Sequence, residues 1–144
     1  MPDDPKNLEF PVVENFSPEV PIEVYAINKT IKVVATVDTG STGFLQIPLS
    51  IGIKANLRLF GTRYYTMADG RKVKKLECIG KIRFAGKDLI GIISLSETSD
   101  DCLLGMQFLE ELGMDFTVSP QKNKAIFQLL QVSEENKGSK EKSE

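Results

Sequence analysis

Apolar and polar positions alternate with a period of two over most of the chain, and this period predicts strands rather than helices. From Pro21, the run IEVYAINKTIKVVATV reads as two strands turning at Asn28-Lys29, because Ile22, Val24 and Ala26 alternate with more polar neighbours and Asn tolerates a positive φ. The second strand is apolar and β-branched through Val33–Val37, the pattern of a strand buried on both faces, and it stops at Asp38-Thr39-Gly40. A further apolar segment, Phe44-Leu45-Gln46-Ile47, leads away from that stop. Ser50 to Leu57 reads as a short turn or helix with Ser50 as its cap.

Beyond it, Arg63–Met67 and Lys72–Leu76 flank Ala68-Asp69-Gly70-Arg71, and Asp-Gly between strand-like runs predicts a hairpin. Its second arm is unusually polar, so the hairpin is expected to project from the body. A second hairpin follows, Ile79–Phe84 and Leu89–Leu95, turning at Ala85-Gly86-Lys87-Asp88. An acidic linker, Ser96–Asp101, leads to Cys102-Leu103-Leu104-Gly105. Phe108, Leu109 and Leu112 then share one face of a short helix that Gly113 terminates. Two last strands, Met114–Val118 and Ala125–Leu130, enclose a turn at Ser119–Lys124. The fold class expected is all-β, mainly antiparallel and closed or barrel-like, with one short C-terminal helix. The domain is expected over residues 21–132, between a flexible, proline-rich arm over 1–20 and a disordered Glu/Lys/Ser/Gly-rich tail over 133–144. Within the arm, Phe10-Pro11-Val12-Val13 has the alternative of adding a strand to a sheet edge.

Composition narrows the chemistry. At 144 residues and a net charge of −2, the chain has no basic field for nucleic acid. No stretch approaches the roughly 20 apolar residues of a membrane span, and the N-terminus lacks a basic and apolar leader. The chain therefore reads as soluble, non-secreted and cytoplasmic, with Cys78 and Cys102 as free core thiols. It contains no histidine, which counts against Cys–His and Ser–His–Asp catalysis and most transition-metal sites. No metal and no cofactor are expected.

That leaves Asp38. Aspartate is disfavoured in strands, so at the end of a buried one it either caps a loop through backbone N–H groups or serves as a functional carboxylate. The tripeptide Asp-Thr-Gly alone does not separate the two readings; its company does. A hydrophobic strand into Asp38-Thr39-Gly40, a flap-like hairpin tipped by Ala68-Asp69-Gly70, and Leu103-Leu104-Gly105 before a short helix occur in that order. Over Ile22–Leu130 the chain thereby resembles the retropepsin-like (retroviral-protease-like) aspartic proteases of the small stand-alone prokaryotic type.

The resemblance implies an aspartic endopeptidase that is a homodimer, in which two Asp38 carboxylates activate a water. It implies that Thr39 ties the two active-site loops together, that Gly40 allows their close approach, and that the Ser41 hydroxyl donates to Asp38. Tyr65, Met67, Ala68, Asp69 and Gly70 become flap and substrate-binding positions, with Asp69 and Gly70 as turn formers, while Leu103, Leu104 and Gly105 support the loop from beneath. The partner is a peptide or protein substrate, its subsites lined by apolar residues such as Leu45, Ile47 and Ile93. The competing reading is a non-catalytic module that keeps the β fold and holds a peptide by strand addition. A structural β-domain whose Asp38 only caps a loop is the third.

Overall fold

A computed structural model of the protein describes residues 7–12 and 17–129. Ten strands and two short helices follow in the order β1 (Asn7–Pro11), β2 (Glu19–Tyr25), β3 (Thr30–Val37), β4 (Leu45–Pro48), α1 (Leu49–Lys54), β5 (Leu59–Thr66), β6 (Lys72–Phe84), β7 (Lys87–Ser96), β8 (Leu103–Leu104), α2 (Met106–Leu112), β9 (Met114–Ser119) and β10 (Lys124–Leu129). Seven strands form one sheet, β2-β3-β8-β4-β7-β6-β5, and an additional antiparallel pairing of β2 with β6 closes it on itself. Closure covers the β2 edge and leaves β5 outside the ring as the outer arm of a hairpin. The remaining strands make a small sheet, β1-β10-β9.

The barrel is filled by the inward set that strand alternation supplies: Val20, Ile22 and Val24 from β2, Ala35 and Val37 from β3, Ile47, Ile82, Ile93 and Leu104. A row of phenylalanines joins it to the small sheet. Phe44 lies 6.3 Å from Phe108, Phe108 5.4 Å from Phe84, Phe84 5.1 Å from Phe127, and Phe127 4.9 Å from Phe116, measured between ring centroids. Such tilted and edge-on contacts stabilise beyond the area they bury.

Several details depart from the expectations drawn from sequence. The stretch read as an arm contains β1, which pairs antiparallel with β10 from Asn7↔Gln128 to Pro11↔Lys124, while Glu19 and Val20 already belong to β2. Leu8 and Phe10 face inward, Phe10 packs on Phe84 and Phe127, and Pro11 is tolerated because β1 is an edge. Residues 1–6 and 13–16, Leu130 and the tail over 133–144 lie outside the described residues.

β3 is not buried on both faces: Ala35 and Val37 are buried, but Val34 is 61 % exposed. Ser50 does not cap α1; Pro48 holds the N-cap position with no side-chain bond. α1 takes the helical alternative of the turn or helix expected over Ser50–Leu57, and Gly113 ends α2 in the left-handed conformation, at φ 72°. Finally, the two predicted hairpins share a strand. β6 runs unbroken for 13 residues, pairing with β5 over Lys72–Cys78 and with β7 over Leu76–Phe84.

Candidate active site

The site is built where β3 ends. Val37 pairs in parallel with Leu104 of β8, and the next residue, Asp38, donates its N–H to the Leu104 carbonyl at 2.8 Å. Three more backbone bonds tie the loop after Asp38 to the junction of β8 and α2. Gly105 N–H donates to the Phe44 carbonyl (3.2 Å), Met106 N–H to the Ser41 carbonyl (2.8 Å) and Gln107 N–H to the Gly43 carbonyl (3.1 Å). The loop carbonyls thereby take up N–H groups that the first turn of a helix leaves without intrahelical partners. Leu103 pairs with Thr36 on one side and Gln46 on the other, so β8 lies between the strand that delivers the carboxylate and the strand that leaves it.

Gly105 is dictated by this closeness. A Cβ there would stand 2.3 Å from the Gly43 carbonyl oxygen, 2.8 Å from that of Ser41 and 2.9 Å from the Ser41 hydroxyl. Two of these contacts are backbone, which cannot swing aside.

The Asp38 side chain is half-buried, and Gly40 N–H donates to its Oδ1 at 2.9 Å. A Cβ on Gly40 would press on the same oxygen at 3.2 Å. Ser41 acts through its backbone, its N–H donating to the Asp38 carbonyl at 3.0 Å. Its hydroxyl makes no bond to the Asp38 carboxylate among the described residues, contrary to the expectation from sequence. Thr39 is exposed and, with Thr42, Met106, Gln107, Leu109 and Phe116, lines a wide depression of about 1240 Å³ between α2 and β9. β9 is an edge of its sheet on that side.

The hairpin of β5 and β6 stands over the other side of the loop. Its turn is closed by Met67 N–H donating to the Arg71 carbonyl (2.7 Å) and Gly70 N–H to the Met67 carbonyl (2.9 Å). Asp69 accepts from the Arg71 N–H at 3.0 Å and from its Nε at 2.6 Å, and Gly70 sits at φ 88°, so both are turn formers. Met67 and Ala68 are exposed at the tip, and Tyr65 is half-buried beneath it.

Under Tyr65, a recess of about 180 Å³ opens beside Ser41, Thr42 and Gly43 and is floored by Leu45, Gln46 and Ile92. Ile47 and Ile93, expected from sequence as subsite residues, have no exposed surface and belong to the core; only Leu45 reaches the recess. Sequence reasoning missed the polar half of its lining, Arg63, Lys75, Glu77 and Ser94. The available signal was the polarity of the hairpin's second arm, which marks a face that does not enter the core.

Cys78 and Cys102 are buried and unpaired, and burial pushes both thiols up from their ordinary value, with the Asp101 charge adding to the effect at Cys102. Neither is an activated nucleophile. Among the described residues, no helix is long and apolar enough to cross a membrane.

The architecture as a whole is shared with solved structures. The fold is retropepsin-like. The chain is similar to the crystal structure of a retropepsin-like aspartic protease from Rickettsia conorii, with a TM-score of 0.57 and 16% sequence identity over 88% of this chain and 93% of that one. It is also similar to the solution structure of the simian foamy virus (mac) protease, with a TM-score of 0.50 and 18% identity over 65% of this chain and 93% of that one. No protein-family model matches the chain, and no curated protein matches it in sequence. The retropepsin-like fold is thus shared in shape at an identity that fixes no residue's role.

Proposed function

We propose that the protein is an aspartic endopeptidase whose active form is a homodimer, with one Asp38 from each copy at the catalytic centre. The observation that carries this reading is the mounting of Asp38. Four backbone hydrogen bonds fix the loop around a carboxylate that stays half-exposed and bonds internally only through Gly40 N–H among the described residues. A carboxylate that served only to cap the loop has no need of a second layer of strand and helix holding that loop.

The depression lined by Thr39, Thr42 and Met106 supports the dimer. It runs beside the free edge strand β9, an unpaired edge on which a second copy can dock. In that arrangement Thr39 lies at the contact between the two loops. Two carboxylates about 3 Å apart cannot both ionise cheaply and so share a proton, the arrangement for which aspartic proteases are the standing example. The ionised partner takes a proton from the water as it attacks the scissile carbonyl. The protonated partner donates to the developing oxyanion, and a proton then passes to the leaving amine. The hairpin of β5 and β6 acts as the lid that shuts out bulk water. The unpaired thiols suit a reducing compartment such as the cytoplasm.

Cleavage of a diverse peptide library by the wild-type protein and by Asp38→Asn, with the oligomeric state of both measured by sedimentation, tests the reading. Cleavage by a dimer, reduced by about 10³-fold or more in the variant, is the expected result. A well-folded wild-type dimer that cleaves nothing would sink it in favour of the peptide-binding module.

A further inference from the structure

The recess beneath Tyr65 holds more positive than negative charge, and the surplus sits on one residue. Glu77, buried, faces Arg63 at 3.6 Å and is balanced by it. Lys75 has no such counter-charge: among the described residues its ammonium donates to the Gln46 side-chain oxygen and lies 4.8 Å from the centre of the Tyr65 ring. Both partners are neutral. Burial pushes the Lys75 pKa down from the ordinary lysine value, as desolvation does for a cation without an anion.

The register compounds this. Lys75 and Arg63 are directly opposite across β5 and β6, a like-charged pairing that disfavours the sheet. The rest of the polar lining, Ser41, Thr42, Ser94, Gln46 and Gln107, is uncharged. Two cations and one carboxylate leave a net single positive charge in a space of about 180 Å³, roughly six times the ~30 Å³ that a water takes up in the liquid. That is room for one side chain.

We propose that this recess is a specificity subsite for an acidic side chain, in which the Lys75 ammonium, backed by Gln46 and Tyr65, binds the carboxylate of a Glu or Asp in the peptide close to the scissile bond. The position follows from the lining: Ser41, Thr42 and Gly43 belong to the loop that carries Asp38, and Tyr65 belongs to the hairpin above it. A carboxylate entering there supplies the anion that Lys75 lacks, relieves its repulsion with Arg63, and makes a charge-assisted hydrogen bond in a partly desolvated site. The inference rests on reading the cleft as a peptide site and adds which residue of the peptide it selects.

The test uses matched peptides that carry Glu, the isosteric Gln, Leu or Lys at each position flanking the cleaved bond, with kcat/KM measured for the full chain. Glu is expected to exceed Gln about tenfold or more at one position, the worth of one charge-assisted bond. Lys75→Met should abolish that ratio, Lys75→Arg should retain it, and Lys75→Glu should turn the preference towards Lys. A Glu-to-Gln ratio that is the same in the wild type and in a folded Lys75→Met would overturn the proposal.

Should the wild type cleave nothing, fluorescence anisotropy with the same peptides separates the two claims. A Lys75-dependent preference for Glu in binding upholds the acidic subsite while the protease reading falls. Equal binding of the Glu and Gln peptides, or no binding of either, overturns the subsite as well.

Discussion

The loop after β3 and the hairpin tip between β5 and β6 are both glycine-containing connections, yet they are held in opposite ways. Around Asp38 the backbone is bonded to β8 and α2 at four points, and Gly105 is there because no Cβ fits. At the tip, Gly70 has nothing within 4 Å of where a Cβ would be, and the turn is closed only by bonds to its own hairpin. The contrast is between a loop fixed by other elements and a turn fixed only by its own hairpin, and the second can open without disturbing the first.

The comparison breaks most severely where the loop's foundation is removed. Phe108 has no exposed surface and packs against Phe44 of the loop and Phe84 of the barrel, so Phe108→Ala should cost about 4 kcal/mol in urea unfolding. A loss under 1 kcal/mol would mean that α2 does not carry the loop. Gly105→Ala comes next, at about 3 kcal/mol, because the added methyl meets backbone rather than a mobile side chain. Hydrogen exchange should then speed up at the Asp38, Met106 and Gln107 amides specifically.

Gly70→Ala sharpens the comparison from the other side. The space is open but φ is 88°, so the cost is backbone strain alone, about 1 kcal/mol. Exchange should rise at Met67 and Gly70 and stay unchanged around Asp38; a spread to the loop would show that the two regions are one unit.

The smallest effect belongs to a turn outside both regions. The Asp88 carboxylate accepts from Arg83 and from the Tyr25 hydroxyl, and these bonds, Arg83's first, hold its pKa below the usual aspartate value. A depressed carboxylate stabilises the fold above its unfolded pKa and loses that contribution as pH falls through its folded one. Asp88→Asn should therefore lower Tm slightly at neutral pH, and the difference should fade below about pH 4. A gap that widens in acid would contradict the assignment.

Much of this was legible before any coordinates, for reasons that are local. The β-branched run into Asp38, the Asp69-Gly70 turn and the Gly113 helix stop each follow from what a few consecutive residues can do, and each lies where the pattern puts it. What escaped is non-local. That β1 pairs with β10 depends on partners more than 110 positions apart in register pairs such as Leu8↔Phe127. That Ile47 and Ile93 face the core rather than the cleft depends on how β4 and β7 pair, Leu45↔Ile93 and Ile47↔Leu95, which no run of residues reports. Lys75 was visible only as one lysine in a polar arm; its meaning came from Arg63 opposite it and Gln46 below.

The unbroken length of β6 has a mechanical consequence. From Lys72 to Lys75 the strand pairs with β5 alone, and from Leu76 it is also barrel wall paired with β7, while β5 has a register shift between Leu59 and Gly61 just below that level. Four residue steps at about 3.3 Å make an arm of roughly 13 Å, so a bend of about 5° near Leu76 carries its end through about 1 Å. The hairpin is a cantilever clamped in the barrel. Its stiffness is set where Leu76 and Cys78 are packed, at the base of the arm and away from its tip.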